Sequence, residues 1–149
     1  MSEEQAVYNA KETASRVCAE IADRFLQAAR WLDIGEMVPK WHETQNEVIV
    51  LMRIGERIEE VNKVILDAYD ALELAESEHR IPAGTAKSVL RRIGRGWPVE
   101  WPKEEQTPPA FLCELGARIS QRRSEIISAA MELKNIARKL GGEKGGSEE

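Results

Sequence analysis

The chain has 149 residues and a net charge of −5, with 42% hydrophobic, 32% charged and only 5% aromatic side chains. That length fits one domain with a real core, and the longest apolar run, residues 48–52, falls far short of the roughly 20 residues that span a bilayer. Two cysteines define no disulfide framework and two histidines leave little for a metal site.

The opening residues MSEEQ are acidic and polar, unlike a secretory leader. An intracellular or virion location, with reduced thiols, is the expectation. Cys18 and Cys113 both sit in helical patterns among apolar neighbours, where inert core thiols belong.

The first helix is predicted over 3–33. Ser2 followed three residues later by Gln5 is a capping-box start, and Glu3 and Glu4 suit the positive end of the helix. Val7, Ala10, Ala14, Val17, Ile21, Ala28 and Trp31 recur at three- and four-residue spacing, with Cys18, Phe25 and Leu32 beside them. This is a wide apolar stripe. Gly35 and Pro39 end it.

The second helix is predicted over 39–77, with Pro39 in the first turn. Leu51, Ile58, Ile65 and Leu72 form one heptad row, and Ile54, Val61, Ala68 and Ala75 form the next, a pattern of coiled-coil-like packing. A short third helix fits 82–93, stopped by Gly94 and Gly96. Four prolines between 98 and 109 then predict an extended or loop segment rich in Pro and Trp. Thr107 caps a last helix opening at Pro108. Its row Leu112, Ile119, Ile126, Leu133 and Leu140 is flanked by Leu115, Ala129 and Ile136, and Gly141 and Gly142 close it. The expected fold is all-α: an elongated bundle of three long helices plus one short helix. Residues 1–140 are expected to form a single helical domain and 141–149 a polar, glycine-rich tail.

Motifs for chemistry are sparse. Glu76 and His79 form one Glu-x-x-His unit, where di-iron bundles need two plus further glutamates. His42, Glu43 and Glu47 lack the second histidine of a zinc protease helix. Glu56 and Glu59 are similar to the first half of the magnesium motif of all-α nucleotide pyrophosphohydrolases, but no second carboxylate pair follows. No catalytic residue, cofactor or metal is expected.

Charge is divided along the chain. Residues 1–79 hold 8 basic and 17 acidic side chains, a net of −9, whereas 80–140 hold 12 basic and 6 acidic, a net of +6. Within 80–103, six cations (Arg80, Lys87, Arg91, Arg92, Arg95, Lys103) face one acid, Glu100. Such a concentration on an acidic protein can attract phosphate. It can equally pair with the acidic half inside the fold.

On the short helix, Ala86, Leu90 and Ile93 are predicted to lie on the protein, with Lys87 and Arg91 one turn apart on another side and Arg95 just beyond the end. Gly94 and Gly96 would let backbone approach a sugar–phosphate chain. Trp97 and Trp101 could stack on bases, but read more simply as rings pinning a loop to the core. Arg118, Arg122 and Arg123 make a second basic cluster. Arg122 falls on the Leu115–Ala129 row, where an apolar residue belongs, so it needs a carboxylate, most simply from the acidic second helix, or a phosphate.

Leu90-Arg91-Arg92-Ile93-Gly94-Arg95-Gly96 resembles, over seven residues, the L-x-R-I-G-x-G stretch of coat proteins of rod-shaped and filamentous archaeal double-stranded DNA viruses. The resemblance implies a small all-α major capsid protein without catalysis, pairing into dimers, with itself or a paralogous chain, whose helices wrap the genome in the virion. It places Arg91, Arg92 and Arg95 on motif positions. Lys87, Arg118, Arg122 and Arg123 join them on charge alone. The expectation is a non-enzymatic structural subunit that assembles through long helices and binds nucleic-acid backbone, double-stranded DNA above all. The alternative is a cellular helical adaptor or a small subunit of a larger protein or ribonucleoprotein complex.

Overall fold

The computed structural model describes residues 3–33, 47–93 and 108–141. Among them the chain is all-α, with no strand: α1 Glu3–Trp31, α2 Glu47–Ser77, α3 Thr85–Ile93 and α4 Pro108–Gly141. The predicted start of the second helix at Pro39, the Pro/Trp-rich loop and the tail beyond Gly141 lie outside the described residues. No helix among those described is long and apolar enough to cross a membrane.

Helix α1 packs against both α4 and α2, and α3 bridges α4 and α2. Three contacts fix the direction of the α1–α4 pair: Arg123 reaches Ala29, Lys134 reaches Asp23, and Ser15 reaches Ala137. As one number rises the other falls, so the two helices run antiparallel. Ser15 Oγ donates to the Ala137 carbonyl at 2.7 Å. One turn further on, Gly141 lies so close that an added Cβ would stand 2.8 Å from Ser15 Cβ. A glycine is required there by contact alone.

The core is one continuous cluster fed by all four helices. The predicted α2 rows are buried at Ile54, Ile58, Val61, Ile65, Ala68, Leu72 and Ala75, and Ile119, Ile126 and Leu133 of the α4 row are buried with them. The α1 stripe begins later than predicted. Val7 is 55% exposed and Ala10 is exposed, so burial starts at Ala14. Cys18, Phe25 and Leu32, predicted beside the stripe, are fully buried near its centre. Each large apolar side chain removed from water there contributes roughly 1.5–3 kcal/mol.

The short helix also starts later than the predicted residue 82. Its connection to α2 explains why. His79 adopts a left-handed φ of 60°. The His79 amide donates to Glu76 O at 3.1 Å and the Arg80 amide to Ala75 O at 2.9 Å. These paired bonds are the Schellman arrangement that closes a helix. Pro82 and Ala83 then lie outside the next helix, and Gly84, with φ +89°, supplies its first carbonyl, accepting the Ser88 amide at 3.0 Å. Thr85 Oγ1 donates back to Pro82 O at 2.7 Å and locks the turn.

Cys113 departs from expectation. It is exposed, whereas Cys18 is buried, and both are free thiols. Leu115 and Ile119 take the inward positions of that turn of α4, which turns Cys113 to the outside.

Candidate nucleic-acid interface

The nine residues of α3 carry the basic face. A helix this short does not hold itself together in water, and α3 is tied to the rest of the protein at three points. At its N-terminus the Ala86 amide donates to Glu76 Oε1 at 3.0 Å, so a carboxylate from the end of α2 caps an orphan donor at the positive end of α3. Along its side, Ser88 Oγ donates to Glu132 Oε2 of α4 at 3.1 Å. At its C-terminus the Ile93 carbonyl accepts Arg122 Nη1 of α4 at 2.8 Å.

The inward face of α3 is Thr85, Ala86, Val89 and Ile93. Leu90 was expected on this face and is instead 46% exposed. Val89 occupies the seat between Ala86 and Ile93, and a face centred on those three leaves Leu90 on the far side. The outward face therefore reads Lys87, Leu90 and Arg91, all exposed, with a leucine between two cations.

Lys87 and Arg91 make no ion pair among the described residues. Arg92 is exposed and its Nε lies 3.9 Å from Glu132 Oε2, at the limit of a weak surface pair. Arg95, together with Gly94, Gly96, Trp97 and Trp101, falls outside the described residues.

Arg118, Arg122 and Arg123 do not form the single basic patch expected from their spacing. Arg118 pairs with Glu114 one turn earlier at 3.2 Å. Arg123 turns toward α1, where its Nε donates to Ala29 O at 3.2 Å, a cation at a helix C-terminus. Arg122 turns toward α3 and is only 2% exposed. Its carboxylate partner is Glu125 of its own helix, at 3.1 Å, not a residue of α2. Burial lowers the Arg122 pKa and Glu125 opposes that shift. With its guanidinium inside the α3–α4 contact, Arg122 is not a surface phosphate ligand.

The acidic outer face of α2 remains separate. Glu56, Glu59, Asp67, Asp70 and Glu73 are exposed, and among the described residues no ion pair joins an α2 carboxylate to Lys87, Arg91 or Arg92 of α3. Tyr69 feels this field. Burial raises its pKa first, then the charges of Glu73, Glu76 and Asp70, with Glu73 also hydrogen-bonded to it. Met52, Leu66 and Leu74 stand exposed among these acids. Where Trp31 meets α2, the Arg57 guanidinium lies 6.0 Å from the centre of its ring.

Glu76 of the Glu-x-x-His unit thus caps α3, and no group of three metal-ligating side chains occurs among the described residues. Three roles in the site escaped sequence reasoning: Glu76 as the cap of α3, Glu132 as the acceptor for Ser88, and the Ile93 carbonyl as the acceptor for Arg122. Only Glu132 left a signal, since Ser88 and Arg92 stand one turn apart and so share a face that needs an acceptor.

No protein-family model, curated protein or solved structure shows significant similarity to this chain.

Proposed function

We propose that the chain is a non-enzymatic structural subunit, coat-protein-like, that self-associates through its long helices and holds nucleic-acid phosphate backbone, double-stranded DNA by preference, on the outward face of α3. The observation that carries this reading is the placement of Lys87 and Arg91, exposed, one turn apart and without an intramolecular ion pair among the described residues, on a helix tied down at both ends. Phosphate contacts of this kind give affinity without sequence readout. Arg92 joins the face once its long contact with Glu132 opens, and Arg95 extends it in the resemblance to the viral coat proteins. The finer architecture belongs to the same proposal: an elongated bundle with coiled-coil-like packing and a Pro/Trp-rich extended loop before the last helix. Helices of 29, 31 and 34 residues are roughly 44–51 Å long at 1.5 Å per residue, and the exposed Met52, Leu66 and Leu74 on α2 give a neighbouring copy apolar surface to cover.

One observation favours a second reading. Leu90 stands exposed between Lys87 and Arg91, and a leucine flanked by cations also fits an acidic, partly apolar protein surface. On that reading the chain is a helical adaptor or a small subunit of a larger protein or ribonucleoprotein complex. Negative-stain electron microscopy of purified protein, with and without nuclease treatment, separates the two. Rods or filaments containing protected nucleic acid support the coat-like subunit. Small discrete particles free of nucleic acid support the adaptor.

A further inference from the structure

Arg122 and Thr85 are the two buried polar side chains among the described residues. At 2% exposure Arg122 cannot touch a ligand on the outer face of α3. It sits on a core row between Leu115 and Ala129, where an apolar side chain would pack well. Such a side chain would leave the Ile93 carbonyl, at the end of α3, without the donor that now lies 2.8 Å away. The apolar contacts of α3 alone come from Ala86, Val89 and Ile93, a small anchor for a helix of nine residues.

Resting on the phosphate-binding reading above, we propose that Arg122 is a positioning residue for the nucleic-acid face: it holds the C-terminal end of α3 through the Ile93 carbonyl, and so fixes how Lys87 and Arg91 meet the polyanion without touching it. Glu125, 3.1 Å from Nη1, keeps the guanidinium charged and oriented. Glu76 performs the matching role at the other end of α3 through the Ala86 amide. The face is thus preorganised by one cation and one anion borrowed from α4 and α2. Each cation is then presented in a single orientation rather than sampled from a mobile segment.

The test uses the full chain and a fluorescent, mixed-sequence DNA duplex titrated over a range of salt concentrations. Lys87→Ala and Arg91→Ala each remove a phosphate contact and should lower the slope of log affinity against log salt by about 0.9. Arg122→Met should weaken binding about tenfold if the docked population of α3 falls to about a tenth, while leaving that slope unchanged. Arg122→Lys keeps the charge and a donor and should recover part of the loss. In parallel, amide hydrogen exchange should show residues 89–93 losing protection in Arg122→Met while α1 and the rest of α4 keep theirs.

Unchanged affinity or unchanged α3 protection in Arg122→Met overturns the proposal. A slope lowered by about 0.9 also overturns it, because Arg122 would then be a phosphate ligand itself. A wild-type chain that binds no duplex overturns the interface reading and the ligand named here, and the exchange experiment still decides whether Arg122 holds α3.

Discussion

Arg122 Nη1 lies 2.8 Å from the Ile93 carbonyl oxygen, and this one bond joins the middle of the longest helix to the end of the shortest. Burying a cation in a helical seam is costly unless it is paired and hydrogen-bonded. Here both contacts are made at Nη1, one with the Glu125 carboxylate and one with the Ile93 carbonyl. The consequence is local. A short helix that lacks the length to be stable alone is fixed in place, and its outer face presents two cations and a leucine to solvent.

The α1–α4 contact makes a direct prediction. Gly141→Ala places a methyl group 2.8 Å from Ser15 Cβ and 2.9 Å from its Oγ, so the helices must separate or the end of α4 must bend. The expected loss is about 1–3 kcal/mol in urea unfolding. Ser15→Ala removes only the hydrogen bond to Ala137, and should cost about 1 kcal/mol. If Gly141→Ala is as stable as the parent, the close approach is not maintained in solution.

Much of the architecture was legible in the sequence because helical periodicity reports burial directly. The α2 rows ending at Leu72 and Ala75 and the α4 positions Ile119, Ile126 and Leu133 are inside as predicted. Misreadings arose where two faces competed. Leu90 and Val89 are adjacent and both apolar, and only the contact with α4 decides which turns inward. Cys113 was misplaced for the same reason, with Leu115 and Ile119 taking the core. The site was less legible still. Arg122 was marked as anomalous by its row, yet its partners are a backbone carbonyl and a glutamate of its own helix. Backbone acceptors carry no sequence signal. Arg122 and Arg123 are neighbours in sequence, yet one serves α3 and the other α1.

At the other end of α3, Glu76→Ala should remove the acceptor for the Ala86 amide and cost about 1 kcal/mol, as the loss of a helix cap does. Glu76→Gln keeps an acceptor oxygen and should cost less, losing only the charge at the positive helix end. Thermal unfolding of both variants checks the order. Equal losses would mean that the charge, rather than the hydrogen bond, is what the helix end uses.

The two thiols should behave as different groups. Cys113 is exposed and Cys18 buried, so a thiol reagent should modify Cys113 in the native protein and Cys18 only on unfolding. Burial pushes the Cys18 thiol up to about 11 from 9.0. Between these values the unfolded chain has lost a proton that the folded chain keeps, so stability falls as pH rises through that window. Tyr69, raised above 10.0 by burial and then by its acidic neighbours, adds a loss of the same sign at higher pH. Unfolding midpoints measured from pH 8 upward should decline, and Cys18→Ala should flatten the part of the decline that begins near 9.0. A decline identical in parent and Cys18→Ala would show that the thiol stays protonated in neither state or in both.

The most direct measurement of the central claim is the affinity of the parent and of Lys87→Glu/Arg91→Glu for duplex DNA as a function of salt. The expected result is binding by the parent that weakens linearly on a log–log plot, with a slope of about −0.9 per phosphate contact, and loss of binding in the double variant with helicity intact. Equal binding by both proteins, or parent binding insensitive to salt, would contradict the assignment of the outward face of α3 to the phosphate backbone.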